Sequence, residues 1–300
     1  MCIRDSLVEA ELAADNVPLV GGAFLDGALL FADISGFTAL SERLSTLGKE
    51  GAEQIVTLVN GYFGAMLDVL FACGGDLFKF GGDALLAYFP DEPRGCANAV
   101  LTAWTMQQAM NAFHQVETSL GTFPLQMKIG LHTGTFFAAR VGNDEEREFI
   151  VTGQTVNNTA KAESMASAGQ ILISSAVYAQ VQSNAWLHTA PGPAGHYLIE
   201  HISPNSPLLH PPGFRESASA MFREGASSEA DAAPAVALRR ILIALDRLAP
   251  YLPPGLLPRL ILDPERHESS GEHRLVVVLF ANFIGASELV AELGPGREAE

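Results

Sequence analysis

Two aspartates in the sequence stand near glycine at the ends of apolar runs. Asp33 lies within LFADISGFT at residues 30–38. Asp83 follows a Gly-Gly pair within FKFGGDALLAYF at residues 78–89. A buried carboxylate is unfavourable unless it is paired or binds a metal ion, and two carboxylates with triphosphate oxygens form a ligand set that Mg²⁺ or Mn²⁺ accepts. The two aspartates therefore predict a site for two divalent ions, of the kind that supports phosphoryl transfer.

A short polar segment after Asp33 is a candidate for binding phosphate groups. It consists of Ser35, Gly36, Phe37 and Thr38. We expect it to lead the chain from a strand into a helix, whose first N–H groups would face the β- and γ-phosphates of a nucleotide. Each aspartate also has a simpler explanation. Asp33 could cap that helix, and aspartate after Gly-Gly is a common turn residue, which would account for Asp83.

Hydrophobic spacing predicts the elements that position these residues. The predicted elements are a strand at 28–35, a helix at 50–71, a hairpin at 76–89, a helix at about 93–116, strands at 125–132 and 136–141, a helix at 156–168, and a strand at 170–174 followed by a short helix. Thr38 or Ser41 is expected to cap a helix that follows Gly36. This mixed order predicts an α+β, ferredoxin-like domain in which helices cover a largely antiparallel sheet.

The Gly-Gly pair at residues 81–82 is a strong signal for a two-residue hairpin loop. Such a loop would place Phe80 opposite Asp83. It would place Lys79 opposite Ala84. Because facing residues share one side of a sheet and sides alternate along a strand, Lys79 and Asp83 are expected to point to opposite faces and to serve different pockets.

The composition restricts the partners of the chain. Its 300 residues carry a net charge of −16, which argues against binding to nucleic acid phosphates or to an anionic membrane surface. The sequence contains no uninterrupted apolar run of membrane-spanning length, so we expect no membrane segment. The three cysteines are odd in number and match no metal motif. They predict reduced thiols and a cytoplasmic protein.

The frame around Asp33 recurs near the end of the sequence. Residues 28–44 align with residues 277–293, where LFANFIGAS replaces LFADISGFT and Asn282 takes the place of Asp33. Two buried strands followed by helices could look alike by coincidence. We interpret the repeat instead as a tandem pair of related domains, in which the second has lost its first carboxylate.

The repeat and the composition together predict five segments. These are a leader at 1–22, a first catalytic domain at 23–202, a Pro/Ser/Ala-rich linker at 203–235, a helical connector at 236–270, and the start of a second, truncated domain at 271–300.

Three motifs together resemble a known family. LFADISGFT, FKFGGDALLAYF and GQTVNNTAKAE resemble the class III adenylate and guanylate cyclase catalytic domain, over residues 28–181 and in the manner of soluble, tandem-domain adenylate cyclases. The resemblance implies that Asp33, Asp83 and the main-chain carbonyl of Ile34 bind the two ions. It also implies the reaction, in which the ribose 3′-hydroxyl attacks the α-phosphate of ATP to give 3′,5′-cyclic AMP and pyrophosphate.

The resemblance implies a second set of residues as well. In the family, a partner domain supplies the groups that read the base and hold the ribose. The matching positions in this chain are Lys79, Ile150, Asn157 and Lys161. Ile150 has no polar atom with which to read a base, and Lys161 replaces a bidentate arginine with a point charge. These residues therefore predict a degenerate second site, in which the two lysines could bind a regulatory anion such as bicarbonate.

The leading interpretation is the metal-bearing half of a tandem adenylate cyclase. Asp33 and Asp83 would hold Mg²⁺ or Mn²⁺, and a second cyclase domain of the same chain would read the base of ATP. Two alternatives stay open. One is a cyclase-like nucleotide or anion sensor that performs no chemistry, and the other is a guanylate cyclase, because the base-reading residues are expected after Glu300.

Overall fold

The computed structural model describes residues 21–143, 146–203 and 248–252, together with positions 277, 285, 288, 289 and 292. The predicted first catalytic domain falls almost entirely within this range. The linker, the connector and the second domain fall largely outside it, as does most of the leader. The boundaries of those segments therefore stay predictions.

Ten strands and five α-helices make up the described domain. The strands are β1 (Gly21–Ser35), β2 (Asp76–Gly81), β3 (Ala84–Pro90), β4 (Val116–Thr118), β5 (Gly121–Phe123), β6 (Gln126–Gly142), β7 (Arg147–Thr152), β8 (Ile171–Ile173), β9 (Leu187–Pro191) and β10 (Tyr197–Ile202). The helices are α1 (Phe37–Ser45), α2 (Lys49–Ala72), α3 (Gly95–Ala109), α4 (Gln154–Met165) and α5 (Ser175–Val181).

An eight-stranded sheet forms the centre of the domain. Its strand order is β2-β3-β1-β6-β8-β10-β9, and β7 pairs with β6 beside this path. The pairs are antiparallel except that between β6 and β8, which is parallel. Strands β4 and β5 form a separate two-stranded sheet. The prediction of an α+β domain with a largely antiparallel sheet is confirmed.

The two faces of β1 enter different hydrophobic clusters. Leu30 belongs to the larger cluster, which also includes buried residues of α2 and α3. Leu29 belongs to a smaller cluster, in which the rings of Phe78 and Tyr88 stack with their centroids 4.9 Å apart. Because sides alternate along a strand, Asp33 lies on the same face of the sheet as Leu29. Helix α4 packs on that face, in contact with β1 and β6.

The hairpin forms where it was predicted, but its predicted register is wrong. Gly81 pairs with Ala84, so the loop consists of Gly82 and Asp83, and Lys79 lies opposite Leu86. A bulge between Leu77 and Lys79 accompanies this shift. Gly82 has a φ of +70°, and glycine is the residue that adopts such a conformation most readily. The expectation that Lys79 and Asp83 serve different pockets loses this support and stays a prediction.

Three further predictions differ from the structure. The strands predicted at 125–132 and 136–141 are one continuous strand, β6. The helix predicted to run to residue 116 ends at Ala109 and continues as a single 3₁₀ turn. Helix α1 has Gly36 as its N-cap and no side-chain cap, so the predicted capping by Thr38 or Ser41 is wrong. Strands β4, β5, β7, β9 and β10 were not predicted.

Helix α2 has the length and composition of a membrane-spanning helix. Its 24 residues include a window with a mean hydropathy of 1.7. However, Tyr62, Met66 and Leu70 on this helix are completely buried in the larger cluster. The apolar character of α2 thus serves the core of the domain along one stripe. The prediction that the chain has no membrane segment stays a prediction, as does its cytoplasmic location.

Candidate active site

Asp33 lies at the point where the central strand β1 leaves the sheet. Strand β1 pairs on one side with β3 and on the other with β6, so Asp33 has Ala84 and Lys128 as its direct neighbours. Two residues later the strand ends, and Gly36 turns the chain into α1 with a φ of +98°. Because neighbouring strands hold it on both sides, the Asp33 backbone has a fixed position, while its side chain keeps 24% of its surface exposed.

Asp83 lies beside Asp33, at the tip of the β2–β3 hairpin. It directly precedes Ala84, the residue that pairs with Asp33. Burial raises the pKa of the Asp83 carboxyl, and the nearby negative charge of Asp33 raises it further, whereas a backbone hydrogen bond and Lys128 lower it. A bound cation would stabilise the ionised form of Asp83, which burial and the neighbouring Asp33 disfavour.

Lys128 supplies a positive charge to this site. Its Nζ lies 3.2 Å from Oδ2 of Asp33 and 2.6 Å from Oε1 of Glu163, which belongs to α4. The pKa of Lys128 is raised, mainly by Glu163 and also by Asp33, although burial opposes the shift. Neither Lys128 nor Glu163 was predicted from the sequence. Lys128 is a charged residue in a largely apolar strand, which is a signal, but its partners depend on how β1 and β6 pair and on how α4 packs on them.

The buried hydroxyl group of Tyr62 is influenced electrostatically by the two aspartates. Tyr62 lies on α2 and is completely buried, and its oxygen has no hydrogen-bond partner within the described part of the chain. Burial raises the pKa of Tyr62, and the charges of Asp33 and Asp83 raise it further. The negative charges of both carboxylates therefore help to keep this buried tyrosine neutral.

The predicted phosphate-binding segment occupies the start of α1. Gly36 and Thr38 are exposed, and Ser35 and Phe37 are half-buried. The first turn of α1 contains no acidic residue and no side-chain cap. Leu40 donates its N–H to the Gly36 carbonyl at 3.2 Å, which begins the helical hydrogen bonds. The N–H groups that precede it have the orientation that an anion at a helix N-terminus requires.

The residues at this end of β1 fit a hard divalent cation. No group of three or more His, Cys, Asp or Glu side chains that could hold a metal occurs among the described residues. The available oxygen donors are the carboxylates of Asp33 and Asp83 and the main-chain carbonyl of Ile34. Mg²⁺ and Mn²⁺ accept such a small set of oxygen ligands and leave positions for water or phosphates, so this donor set suits a cation whether it binds alone or with a nucleotide.

The second predicted set of residues lies at the surface as two pairs. Lys79 forms an ion pair with Glu148 of β7, with Nζ and Oε2 3.6 Å apart. Ile150 follows on the same side of β7 and is 37% exposed. Asn157 and Lys161 are exposed on one face of α4, one turn apart. The structure thus places all four near the surface, where another domain could contact them.

Comparisons with known proteins identify the family of this domain. The family described as the Adenylate and Guanylate cyclase catalytic domain matches residues 24–194. The adenylate cyclase type 10 of Oryctolagus cuniculus is 33% identical over 153 residues, which are 50% of this chain and 10% of that protein. The chain therefore spans about a tenth of the length of this relative.

Two solved structures share the fold. The adenylyl cyclase CyaB from P. aeruginosa has a TM-score of 0.52 and 27% identity, and the match covers 59% of this chain and 95% of CyaB. The guanylyl cyclase Cya2 has a TM-score of 0.53 and 30% identity, with coverage of 62% and 98%.

Proposed function

Because the chain belongs to the adenylate and guanylate cyclase catalytic domain family, we propose that its described domain is the metal-binding half of an adenylate cyclase. The reaction would convert ATP into 3′,5′-cyclic AMP and pyrophosphate. One observation carries the proposal: Asp33 and Asp83 come together at the end of β1, beside a helix N-terminus without a side-chain cap. A nucleoside triphosphate with divalent cations suits this site, because the cations match the two carboxylates and the phosphates match the helix N-terminus.

The residues of this chain have distinct roles in the proposed reaction. Asp33, Asp83 and the carbonyl of Ile34 would hold two Mg²⁺ or Mn²⁺ ions. When bound, such ions stabilise the negative charge on the phosphates and lower the pKa of the attacking hydroxyl group. The start of α1, from Ser35 to Thr38, would orient the β- and γ-phosphates through its N–H groups. Lys128 would add a positive charge that is already in place before the substrate binds.

The proposed partner is a second cyclase domain of the same chain. The repeat at residues 277–293 supports it, and so does the surface position of Lys79, Ile150, Asn157 and Lys161. With Asn282 in place of an aspartate, the second domain would lack one metal ligand, so one of the two composite sites would be catalytic. The other would be degenerate, and the positive charges of Lys79 and Lys161 favour bicarbonate or a similar anion as its ligand.

The choice of ATP as the substrate rests on the relatives. The similarity to the type 10 adenylate cyclase, at 33% identity, favours ATP as the first candidate. The similarity to the guanylyl cyclase Cya2, at 30% identity, favours GTP as the second candidate. Because the residues that read the base come from the partner domain in the proposed arrangement, the described domain suits either nucleotide.

A cyclisation assay tests the proposal. The full chain, with and without an added second cyclase domain, would receive Mn²⁺ and either ATP or GTP, and cyclic products would be detected separately. We expect cyclic AMP only when a second domain is present, and no product from Asp33→Ala or Asp83→Ala. Asp68→Ala, an exposed aspartate on α2, is the matched control.

Each other outcome has a defined meaning. Cyclic AMP from the Asp33→Ala or Asp83→Ala variant would refute the metal assignment. Cyclic GMP in place of cyclic AMP would establish the guanylate cyclase. Nucleotide binding without any product, when a competent second domain is present, would favour the sensor.

A further inference from the structure

We infer that Lys128 is a built-in counter-ion for Asp33 in the free protein, and that Glu163 is a positioning residue that holds Lys128 when a divalent cation displaces it from Asp33. This inference rests on the proposed function, since it assigns a metal ion to Asp33. It adds an order of events: the lysine moves toward Glu163 as the cation binds.

The geometry places one ammonium group between two different carboxylates. Asp33 and Lys128 lie directly opposite each other on β1 and β6, so their side chains emerge on the same face of the sheet. Lys128 Nζ is 3.2 Å from Asp33 Oδ2 and 2.6 Å from Glu163 Oε1. The contact with Glu163 is the shorter of the two, so Lys128 already lies nearer to the carboxylate on α4.

A glycine in β6 explains how Glu163 reaches this position. Gly130 lies two residues after Lys128 and therefore on the same side of the strand. A Cβ atom at Gly130 would lie 2.1 Å from the backbone nitrogen of Glu163, which is too close for any other residue. The absence of a side chain there lets α4 lie directly on the sheet and brings the Glu163 carboxylate against Lys128.

The two carboxylates differ in how readily they release the lysine. The side chain of Glu163 is only 8% exposed, whereas that of Asp33 is 24% exposed. Apart from its 2.6 Å ion pair with Lys128, Oε1 of Glu163 has no hydrogen-bond partner among the described residues, so without Lys128 a buried charge would be left uncompensated. Leaving a buried charge unpaired is strongly unfavourable. Asp33 can instead exchange Lys128 for a divalent cation, which compensates its charge better.

The side chain of lysine suits such a movement. Its ammonium group sits on a flexible stem of four carbons and donates in three directions. A divalent cation at Asp33 and Asp83 would repel Lys128 over a few ångströms, and Glu163 would accept it without a change in the backbone. Lys128 would then stay beside the site with N–H donors free for phosphate oxygens.

Two substitutions should change the affinity for Mn²⁺ in opposite directions. Glu163→Gln leaves Asp33 as the only carboxylate for Lys128, so Lys128 competes more strongly and Mn²⁺ should bind roughly 10-fold more weakly, the lower end of effects from residues that support a metal ligand. Lys128→Met removes the competitor, so Mn²⁺ should bind several-fold more tightly. Long-range electrostatics alone would give the same two directions, so the single variants do not decide.

The double variant separates competition from simple electrostatics. If Glu163 acts through Lys128, then Glu163→Gln should change Mn²⁺ affinity by less than about twofold when Lys128→Met is already present. If Glu163 acts only through its charge, the two effects should be additive, as expected for independent contributions. Additivity would overturn the inference, and so would an unchanged affinity in Glu163→Gln alone.

The measurement is a titration of the full chain with Mn²⁺ in the absence of nucleotide, with free Mn²⁺ followed by electron paramagnetic resonance. Asp33→Asn identifies the site, because binding there should disappear. Lys49→Met and Glu53→Gln are matched controls, since these residues form an exposed ion pair on α2. Circular dichroism confirms folding of each variant, and Lys128→Gln replaces Lys128→Met if the latter does not fold.

The failure of the inference and that of the proposed function give different results. If Asp33→Asn abolishes Mn²⁺ binding but the Glu163 and Lys128 effects are additive, only the inference fails. If the wild-type chain binds no Mn²⁺, or if Asp33→Asn binds it as the wild type does, both the inference and the metal assignment fail.

Discussion

The two groups of candidate functional residues are organised in different ways. At the end of β1, Asp33 and Lys128 are each about one quarter exposed and lie 3.2 Å apart, with Glu163 behind them. At the other location, Lys79 and Glu148 are 52% and 63% exposed and 3.6 Å apart. An exposed ion pair contributes about 0–1 kcal/mol to stability, whereas breaking a buried one is far more damaging. The domain itself thus builds the first site, and the second is left open to another surface.

The largest difference should appear when one lysine of each group is removed. Lys128→Met leaves Glu163 buried without a counter-ion, and we expect a loss of roughly 3 kcal/mol in the free energy of unfolding, the lower end for a broken buried pair. Lys79→Met should change it by less than about 1 kcal/mol. Urea unfolding at neutral pH measures both. Equal losses in the free energy of unfolding would show that Lys128 is no more important for stability than the exposed Lys79.

A smaller effect should follow from changing the contact between α4 and the sheet. Gly130→Ala places a methyl group against the backbone of Glu163, so α4 must shift, and we expect a loss of about 1–3 kcal/mol. Gly64→Ala is the control, because Gly64 lies in α2 with open space around its Cα. Alanine in a helix is favoured over glycine by about 1 kcal/mol, so Gly64→Ala should stabilise. If Gly130→Ala also stabilised the protein, the close packing of α4 would be refuted.

The smallest effect on stability should come from His132, which connects β6 to α4 and makes the stability depend on pH. His132 on β6 hydrogen-bonds through Nδ1 to Ser174 and through Nε2 to Asn158 of α4. These bonds give His132 a structural role between β6, α4 and the residue before α5. Burial lowers the pKa of His132 below its usual value near 6.5, and the nearby His196 lowers it further. The folded state therefore favours neutral His132, whereas the unfolded state takes up a proton first as the pH falls.

The sign of the pH dependence follows from that difference. The stabilising contribution of His132 is complete above the unfolded pKa, near 6.5, and is lost as the pH falls through the lower folded pKa. We expect the melting temperature to drop between pH 7.5 and 5.5, and to drop less in His132→Gln. Parallel pH profiles of the two proteins would contradict the lowered pKa.

The sequence predicted those parts of the fold that depend on local patterns. The apolar run of β1, the helical spacing of α2 and the Gly-Gly hairpin are all present in the structure. The loop begins one residue later than predicted, at Gly82, so the partners of Lys79 and Phe80 each lie two positions further along β3, and a bulge follows Leu77. Neither feature changes the hydrophobic pattern. The short strands β9 and β10 were missed because their residues do not alternate clearly between apolar and polar.

The candidate site could be predicted only in part, because some of its residues matter through contacts between distant parts of the sequence. Asp33 and Asp83 stood out because each is a carboxylate near glycine in an apolar run. Lys128 and Glu163 acquire their importance from the pairing of β1 with β6 and from the packing of α4 on Gly130. Those contacts join residues that are far apart in the sequence, and no local pattern indicates them.

The most direct test of the central claim is the dependence of nucleotide binding on a metal ion at Asp33 and Asp83. Calorimetric titration of the full chain with 3′-deoxy-ATP, which cannot cyclise, would be carried out with and without Mn²⁺. We predict that Mn²⁺ strengthens binding to the wild type and to Lys79→Met, and that this gain disappears in Asp33→Asn and Asp83→Asn. An Mn²⁺-dependent gain of wild-type size in either aspartate variant would contradict the claim that these carboxylates form the metal site.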